Sequence, residues 1–252
     1  MTFNWKKTVI ALIDAALAVY LVLAVSAFNN PDGRNTTCTK VNIGISESDV
    51  KGFLNADIVK LQLQRDKLYP VGDPIDQVSV RTIEESLQKN PLVESVECYK
   101  SQSGNVNIQI VQRLPVMRIM ADNGEDYYID HFGSIMPSNQ YTSDLVVATG
   151  HISRQYAQKV LTRIGNLILS DRFWRSQIEQ LNVLSDGSVE MVPRVGNHIV
   201  YFGRPTGIGR KLERLKKFYK YGLSQAGWNK YSRINLEFDN QIICKKENGQ
   251  QQ

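Results

Sequence analysis

The feature that most constrains this chain is one apolar stretch near its N-terminus. Residues 8–28 contain a single charged side chain, Asp14. At a rise of ~1.5 Å per residue, a helix of this length crosses the ~30 Å hydrocarbon core of a bilayer. The stretch therefore predicts one transmembrane helix, preceded by a short tail at residues 1–7 and followed by a large polar part.

The charges beside this span predict its orientation. Lys6 and Lys7 precede it, whereas the first acid and the first base after it cancel. By the positive-inside rule, the N-terminus stays in the cytoplasm and everything after the span is exported. A cleaved signal peptide is the alternative, with residues 25–27 as the cleavage site. The apolar stretch exceeds the usual ~7–15 residues of a signal-peptide core, which favours an uncleaved anchor.

A candidate helix-packing face lies inside the span. Ala11, Ala15 and Ala18 recur at helical spacing, and Asp14 lies beside them. Small side chains let two membrane helices approach closely. A carboxylate near the bilayer centre costs about 2.5–3.5 kcal/mol, so it is usually protonated or faces protein. Two interpretations stay open: this face contacts the helix of a partner, or a protonated Asp14 is merely tolerated.

The polar part begins with a linker, predicted at residues 29–37, and a compact unit at residues 38–115. Alternating apolar residues predict a strand at residues 41–45. A capping box at residues 46–49 predicts the start of a helix. A second helix follows, and two strands that form a hairpin complete the unit. The order strand, helix, helix, strand, strand predicts an α+β module.

A second unit, predicted at residues 116–246, consists mainly of antiparallel strands. Apolar faces at helical spacing predict two helices, at residues 153–169 and 210–226. Alternating apolar and polar side chains predict one long final strand at residues 232–244. The tail at residues 247–252 is polar and is predicted to fray. The whole chain is therefore expected to be α+β.

No motif for catalysis or for metal binding occurs in the sequence. The three histidines share no metal-ligand spacing with one another or with cysteine. Neither a nucleophile elbow nor an HExxH motif is present, and the glycines at residues 207–211 lack the spacing of a phosphate-binding loop. We predict no enzymatic activity, no cofactor, no metal and no small-molecule substrate.

Three cysteines would face an oxidising compartment in an exported domain. An odd number leaves at least one thiol free. Cys98 and Cys244 alternate with apolar neighbours and are interpreted as small core residues. A disulfide between Cys38 and Cys98 is the alternative.

Basic residues are concentrated in residues 204–233. This segment holds nine lysines and arginines and one acid, Glu213, which gives it a charge of +8 against +5 for the whole chain. A solvated helix face is one interpretation. Contact with anionic lipid headgroups or with an acidic partner is the other. Nucleic acid is not expected as a partner outside the cytoplasm.

Short motifs spread along the chain resemble the FtsQ/DivIB family of bacterial cell-division proteins, in the form found in the Bacteroidetes. In chain order these motifs are Asn90-Pro91-Leu92-Val93, Gln112-Arg113-Leu114-Pro115-Val116, Tyr128-Ile129-Asp130 with Gly133 and Met136-Pro137, Phe173-Trp174, Pro193-Arg194-Val195-Gly196 and Gly227-Trp228. The resemblance implies a POTRA domain (polypeptide-transport-associated, β-α-α-β-β) at residues 38–115 and a β-domain at residues 116–246.

The resemblance also implies a function. Members are non-enzymatic single-pass (type II) scaffolds of the cell inner membrane, with a periplasmic domain at the division septum. They bind the single-pass proteins FtsB and FtsL and link early division proteins to the septal peptidoglycan synthase complex. Matching the family places the partner-binding strand at the following residues: Phe238, Asp239, Asn240, Gln241 and Ile242. The small residues and the downstream tryptophan of enterobacterial relatives are absent here.

The final strand has an independent physical reason to bind a partner. A last strand commonly lies at a sheet edge with unpaired backbone groups, and an extended peptide can add to such an edge. The alternative is an edge protected by its own charges, Glu237, Asp239, Lys245 and Lys246. A POTRA protein of outer-membrane protein export or assembly is the alternative at the level of function, although no run of lipid-facing barrel strands follows.

Overall fold

The computed structural model of the protein describes residues 5–28, 37–46, 54–138 and 145–246. The first element, α1 (Trp5–Phe28), is one continuous helix. Its segment Thr8–Ser26 is long and apolar enough to cross a membrane, and none of that segment is buried against the rest of the protein. A helix that is apolar on all sides and not covered by the rest of the chain is typical of a membrane-spanning segment. This agrees with the predicted span.

Some predictions fall on residues outside this description. They concern residues 1–4 of the predicted N-terminal tail, most of the linker, most of the capping box and the C-terminal tail, whereas residues 5–7 already belong to α1. The first described helix of the polar part begins at Ala56, where the side chain of Asn55 accepts the N–H of Ile58 at 2.8 Å.

The first unit is a three-stranded sheet packed against two helices. Its elements are β1 (Val41–Ile45), α2 (Ala56–Arg65), α3 (Val80–Leu87), β2 (Val93–Lys100) and β3 (Val106–Gln112). The strand order is β1-β3-β2, with β3 parallel to β1 and antiparallel to β2. Buried apolar side chains of both helices and of β3 share one core. The predicted order strand, helix, helix, strand, strand is confirmed.

The second unit is a nine-stranded sheet covered by helices. The strands are β4 (Pro115–Ala121), β5 (Asp126–Asp130), β6 (Ile135–Pro137), β7 (Val147–Gly150), β8 (Ile178–Val183), β9 (Val189–Pro193), β10 (Ile199–Gly203), β11 (Tyr231–Asn235) and β12 (Ile243–Lys246). Their order is β12-β11-β10-β9-β8-β7-β4-β5-β6. Five of these eight strand pairs are antiparallel and three are parallel. The prediction of an α+β fold with a mainly antiparallel β-domain is confirmed.

Two long helical runs cover the apolar side of this sheet. The first consists of α4 (Arg154–Tyr156), a π-helical turn (Ala157–Leu161) and α5 (Thr162–Ser170); the short α6 (Arg172–Gln177) follows it. The second consists of α7 (Ile208–Phe218), a π-helical turn (Tyr219–Leu223) and α8 (Ser224–Ala226). Both runs bury apolar side chains in the core of the second unit, as their spacing predicts. The second run makes the crossover from β10 to the parallel strand β11.

The prediction of one long final strand is wrong. Residues 232–244 instead form most of a hairpin of β11 and β12, joined by the connecting loop, residues 236–242. Leu236 still donates its N–H to the carbonyl of Tyr201 at 2.8 Å, and the chain then turns where Asn235 accepts the N–H of Glu237. The alternation of apolar residues continues into the loop, so periodicity alone does not reveal the turn. Phe238 to Ile242 therefore lie in a loop rather than in a strand.

A buried ion pair joins the two units. Arg113 bonds to the carboxylate of Asp130, whose side chain is completely buried, and also donates to the carbonyls of Pro91 at 3.1 Å and Val93 at 3.0 Å. Burial alone would raise the pKa of Asp130. The bonds from Arg113 and from two backbone N–H groups outweigh it and hold that pKa below its ordinary value. Asp130 is thus a structural residue at the junction.

Apolar contacts reinforce this junction. Tyr128 and Met136, from β5 and β6, are buried in the core of the first unit rather than in that of the second. The family motifs that contain Arg113, Asp130 and Met136 therefore meet at one place in the fold.

All three cysteines are free thiols in the structure. Cys38 and Cys98 are buried in the core of the first unit, and Cys244 is half-buried against the core of the second. Burial, together with the nearby carboxylate of Glu84, raises the pKa of Cys98 to about 11. The structure therefore supports cysteines as small core residues and shows no disulfide between Cys38 and Cys98.

Candidate partner-binding edge

The sheet of the second unit ends at β12. This strand pairs with β11 on one side, and no strand of the described residues pairs with its other side. A strand in this position presents a row of unpaired N–H and C=O groups. Ile243, at the start of β12, is 47% exposed. This edge can accept an additional strand from another chain.

The connecting loop carries the predicted partner-binding residues next to this edge. Phe238, Asp239, Asn240 and Gln241 are exposed, and Ile242 is half-buried against the core. Phe238 is 49% exposed, which is unusual for so large an apolar side chain. The structure thus brings these five residues together at one end of the sheet, although in a different backbone conformation from the predicted one.

A groove of about 640 Å³ lies between this loop and the second helical run. Its lining consists of Arg214, Lys217, Phe218, Tyr221, Gly222, Asp239, Asn240, Gln241 and Ile242. One wall is therefore made by four of the predicted residues. The other wall is made by helical residues that were predicted only as part of a basic segment. Tyr221 and Phe238 add exposed aromatic surface beside the edge strand.

The groove carries positive charge. Lys217 lines it and has no carboxylate within ion-pair distance among the described residues, whereas the neighbouring Lys216 pairs with Asp171 at 2.9 Å. The edge strand adds the exposed Lys245 and Lys246. An acidic segment would gain from this field when it approaches the edge.

Not all of the basic segment faces outwards. Lys211 is 4% exposed and donates to the carbonyls of Phe202 at 2.7 Å and Arg204 at 2.9 Å. Burial lowers its pKa, and the carboxylates of Glu237 and Asp239 oppose that effect. Lys211 therefore ties the start of α7 to the end of β10. The interpretation of the segment as a wholly solvated helix face does not hold for this residue.

The predicted membrane-packing residues lie far along the chain from this edge. Ala11, Asp14, Ala15 and Ala18 are all exposed on α1, and no described residue covers them. No group of three or more potential metal-ligating side chains occurs among the residues that the structure describes.

Comparisons with known proteins agree with this architecture. A family model described as "FtsQ/DivIB, C-terminal related" matches residues 114–245, which is more than half of the chain. The chain belongs to the FtsQ/DivIB family. A second model, a POTRA-like domain, matches residues 36–111 and thus covers the first unit.

Two curated proteins similar to this chain are cell division proteins named FtsQ. The cell division protein FtsQ of Geotalea daltonii is 28% identical over 214 residues, covering 80% of this chain and 74% of the relative. The cell division protein FtsQ of Geobacter sp. strain M21 is 26% identical over 187 residues, covering 69% of this chain and 66% of the relative. This FtsQ/DivIB member is therefore a cell-division protein of the membrane at the division site, with one candidate membrane-spanning helix.

Proposed function

We propose that this protein is a non-enzymatic bitopic scaffold of the division machinery. It binds FtsB- and FtsL-type single-pass proteins and links early division proteins to the septal peptidoglycan synthase complex. The observation that carries the proposal is the unpaired edge of β12, which lies beside an open groove at the end of the sheet.

The geometry supports a two-part contact. Strand addition to β12 supplies affinity through main-chain hydrogen bonds, and side-chain contacts beside the edge supply specificity. Phe238 and Tyr221 are the aromatic side chains suited to anchor a partner, because large exposed aromatic residues dominate binding energy at interfaces. Lys217, Lys245 and Lys246 favour acidic side chains on the partner and speed the encounter.

The proposed topology follows from the anchor. The N-terminus lies in the cytoplasm, α1 crosses the inner membrane, and both units lie in the periplasm. In the membrane, Asp14 and the alanine stripe of Ala11, Ala15 and Ala18 form the side of α1 that contacts the helix of a partner. A partner that spans the membrane once can engage this side of α1 and the edge strand together.

Binding experiments test the proposed edge. Full-length protein in lipid nanodiscs is titrated with the periplasmic part of the FtsB-type protein from the same organism. Asn240→Pro distorts the loop, and Phe238→Glu replaces an exposed aromatic anchor by a charge; each is expected to weaken binding at least tenfold. Phe132→Glu is the matched control, because Phe132 is 70% exposed on the turn between β5 and β6, at the opposite end of the sheet.

The control is expected to bind like the wild type. If Asn240→Pro and Phe238→Glu both bind with unchanged affinity, the proposed edge is wrong. A fluorescent protein fused to the N-terminus tests the cellular role: a functional fusion is expected at midcell during constriction, and an even envelope signal would overturn the division role.

A further inference from the structure

We infer that Arg214 is a positioning residue that holds the connecting loop in the shape that binds the partner. This inference rests on the proposed function of that loop. Arg214 lies on α7, between the buried residues Leu212 and Leu215, which fix the helix against the core. Its own side chain is half-buried and extends to the loop.

The guanidinium of Arg214 donates hydrogen bonds to four loop carbonyls. Nη2 donates to Leu236 at 2.8 Å, and Nη1 donates to Phe238 at 2.5 Å, to Asp239, and more weakly to Gln241 at 3.5 Å. These acceptors run from the end of β11 almost to the start of β12. One side chain therefore contacts nearly the whole length of the connecting loop.

The loop has little else to define its shape. Residues 237–241 are all exposed, so apolar packing does not hold them. Two loop N–H groups are bonded, that of Leu236 to the carbonyl of Tyr201 and that of Glu237 to the side chain of Asn235. Among the described residues, the loop carbonyls have no hydrogen-bond donor besides Arg214. A loop with few buried contacts and exposed backbone is the kind of segment that opens locally.

Arginine is the side chain suited to this role. Its guanidinium presents five N–H donors in a rigid planar fork, whereas the lysine ammonium is a compact point charge on a flexible stem. A lysine at this position reaches fewer of the four carbonyls at once. The acceptors are neutral carbonyls, so Arg214 also keeps its positive charge on the groove that it lines.

A positioning role has a distinct kinetic signature. When only a fraction of the free protein has the competent loop, the apparent affinity falls by that fraction. The contacts in the bound state are unchanged, so the association rate constant falls while the dissociation rate constant does not. A residue that touches the partner directly changes mainly the dissociation rate constant instead.

Two measurements on full-length protein in lipid nanodiscs test this inference. The variant is Arg214→Lys, and the control is Arg210→Lys, the same substitution one turn earlier on α7 at an exposed residue without a bond to the loop. Hydrogen–deuterium exchange of residues 236–242 without partner is expected to be at least fivefold faster in Arg214→Lys. Its association with the periplasmic part of the FtsB-type protein is expected to be at least fivefold slower, with unchanged dissociation.

Either of two results would overturn the inference: unchanged loop exchange, or an association rate constant that stays the same while dissociation becomes faster. Arg214→Gln, which keeps a donor but not the fork or the charge, provides a second variant if Arg214→Lys does not fold. Failure of the proposed function is seen separately, because Asn240→Pro and Phe238→Glu would then leave binding unchanged. Loop exchange in Arg214→Lys reports on positioning even in that case.

Discussion

Asp130 and Arg113 form a buried ion pair at the junction of the two units. The side chain of Asp130 has no exposed surface, and that of Arg113 is 15% exposed. Removing one partner of a buried pair leaves the other charge without compensation, which costs far more than the loss of a surface pair. The ion pair is therefore expected to contribute to the stability of the junction, together with the apolar contacts of Tyr128 and Met136.

We expect Asp130→Asn to destabilise the protein by about 3 kcal/mol, which lowers the melting temperature by about 6–12 °C. Thermal melting of full-length protein in detergent micelles measures this. Asp126→Asn is the matched control, since Asp126 pairs with Arg118 at the surface and such pairs contribute about 0–1 kcal/mol. Equal melting temperatures for the two variants would contradict a special role of Asp130.

His198 makes stability depend on pH. The ring is 1% exposed, and its Nε2 lies 2.7 Å from the hydroxyl of Tyr219. Burial lowers the pKa of His198 below its ordinary value of 6.5, and the carbonyl of Trp228 opposes this only in part. The folded state therefore disfavours the charged ring. Its contribution to stability is complete above pH 6.5 and is lost as the pH falls from 6.5 towards the folded pKa.

Melting temperatures at pH 7.5 and pH 5.5 check this expectation. Wild type is expected to lose more stability between these two conditions than His198→Gln, whose amide can still bond to Tyr219 but does not titrate. The difference between the two proteins isolates the contribution of this one ring, because all other groups are shared. A loss of the same size in both proteins would show that His198 does not titrate in this range.

At the scale of elements, Gly150 sets the fit between β7 and β8. Its φ is +98°, and a Cβ atom there would lie 2.2 Å from the carbonyl oxygen of Val183. That oxygen accepts the N–H of His151 at 2.8 Å, so the neighbouring bond would be lost as well. The close approach of two strands thus requires glycine at this position.

Gly150→Ala is expected to destabilise the protein by about 3 kcal/mol or more, through backbone strain and the clash together. Gly124→Ala is the control, because its φ is +86° but a Cβ atom there would meet nothing within 4 Å. Strain alone is expected to cost that variant about 1–2 kcal/mol. Thermal melting of both variants measures the difference, and equal losses would show that the clash at Gly150 is relieved.

Local sequence patterns predicted some of these elements but not the last hairpin. Strands β8 to β10 and both long helical runs follow from local periodicity, because each has one face in the core and clear turn residues at its ends. The last hairpin does not, because the alternation that starts at Ile234 continues through Leu236 and Phe238 into the loop. The chain turns there where the side chain of Asn235 accepts the N–H of Glu237, and Arg214 of α7 adds tertiary hydrogen bonds to the loop that follows.

The candidate site was predictable only in part for the same reason. The family resemblance placed residues 238–242 in the binding region, and the structure puts them beside an open edge. The helical wall of the groove, with Lys217 and Tyr221, arises when α7 packs across the sheet. No local pattern encodes that neighbourhood, although the high basic charge of the segment was a usable signal.

At the scale of the whole molecule, the anchor determines on which side of the membrane both units lie. Alkaline phosphatase fused after Lys246 is expected to be active, because the enzyme needs the oxidising periplasm for its disulfides. Substituting both Lys6 and Lys7 by Glu is expected to reduce the exported fraction, since the orientation signal is then removed. Full activity of alkaline phosphatase fused to the N-terminus, with no activity of the fusion after Lys246, would contradict the proposed topology.

The open edge of β12 also bears on how copies of the protein without a partner would interact with one another. Copies made in excess of the partner expose this strand, and two such strands could pair with each other. Antiparallel self-pairing would bring Lys245 and Lys246 of one copy near the same lysines of the other, and like charges placed opposite each other disfavour a ladder. The two lysines are therefore expected to disfavour association of surplus copies through this strand, whereas an acidic strand would meet no such repulsion.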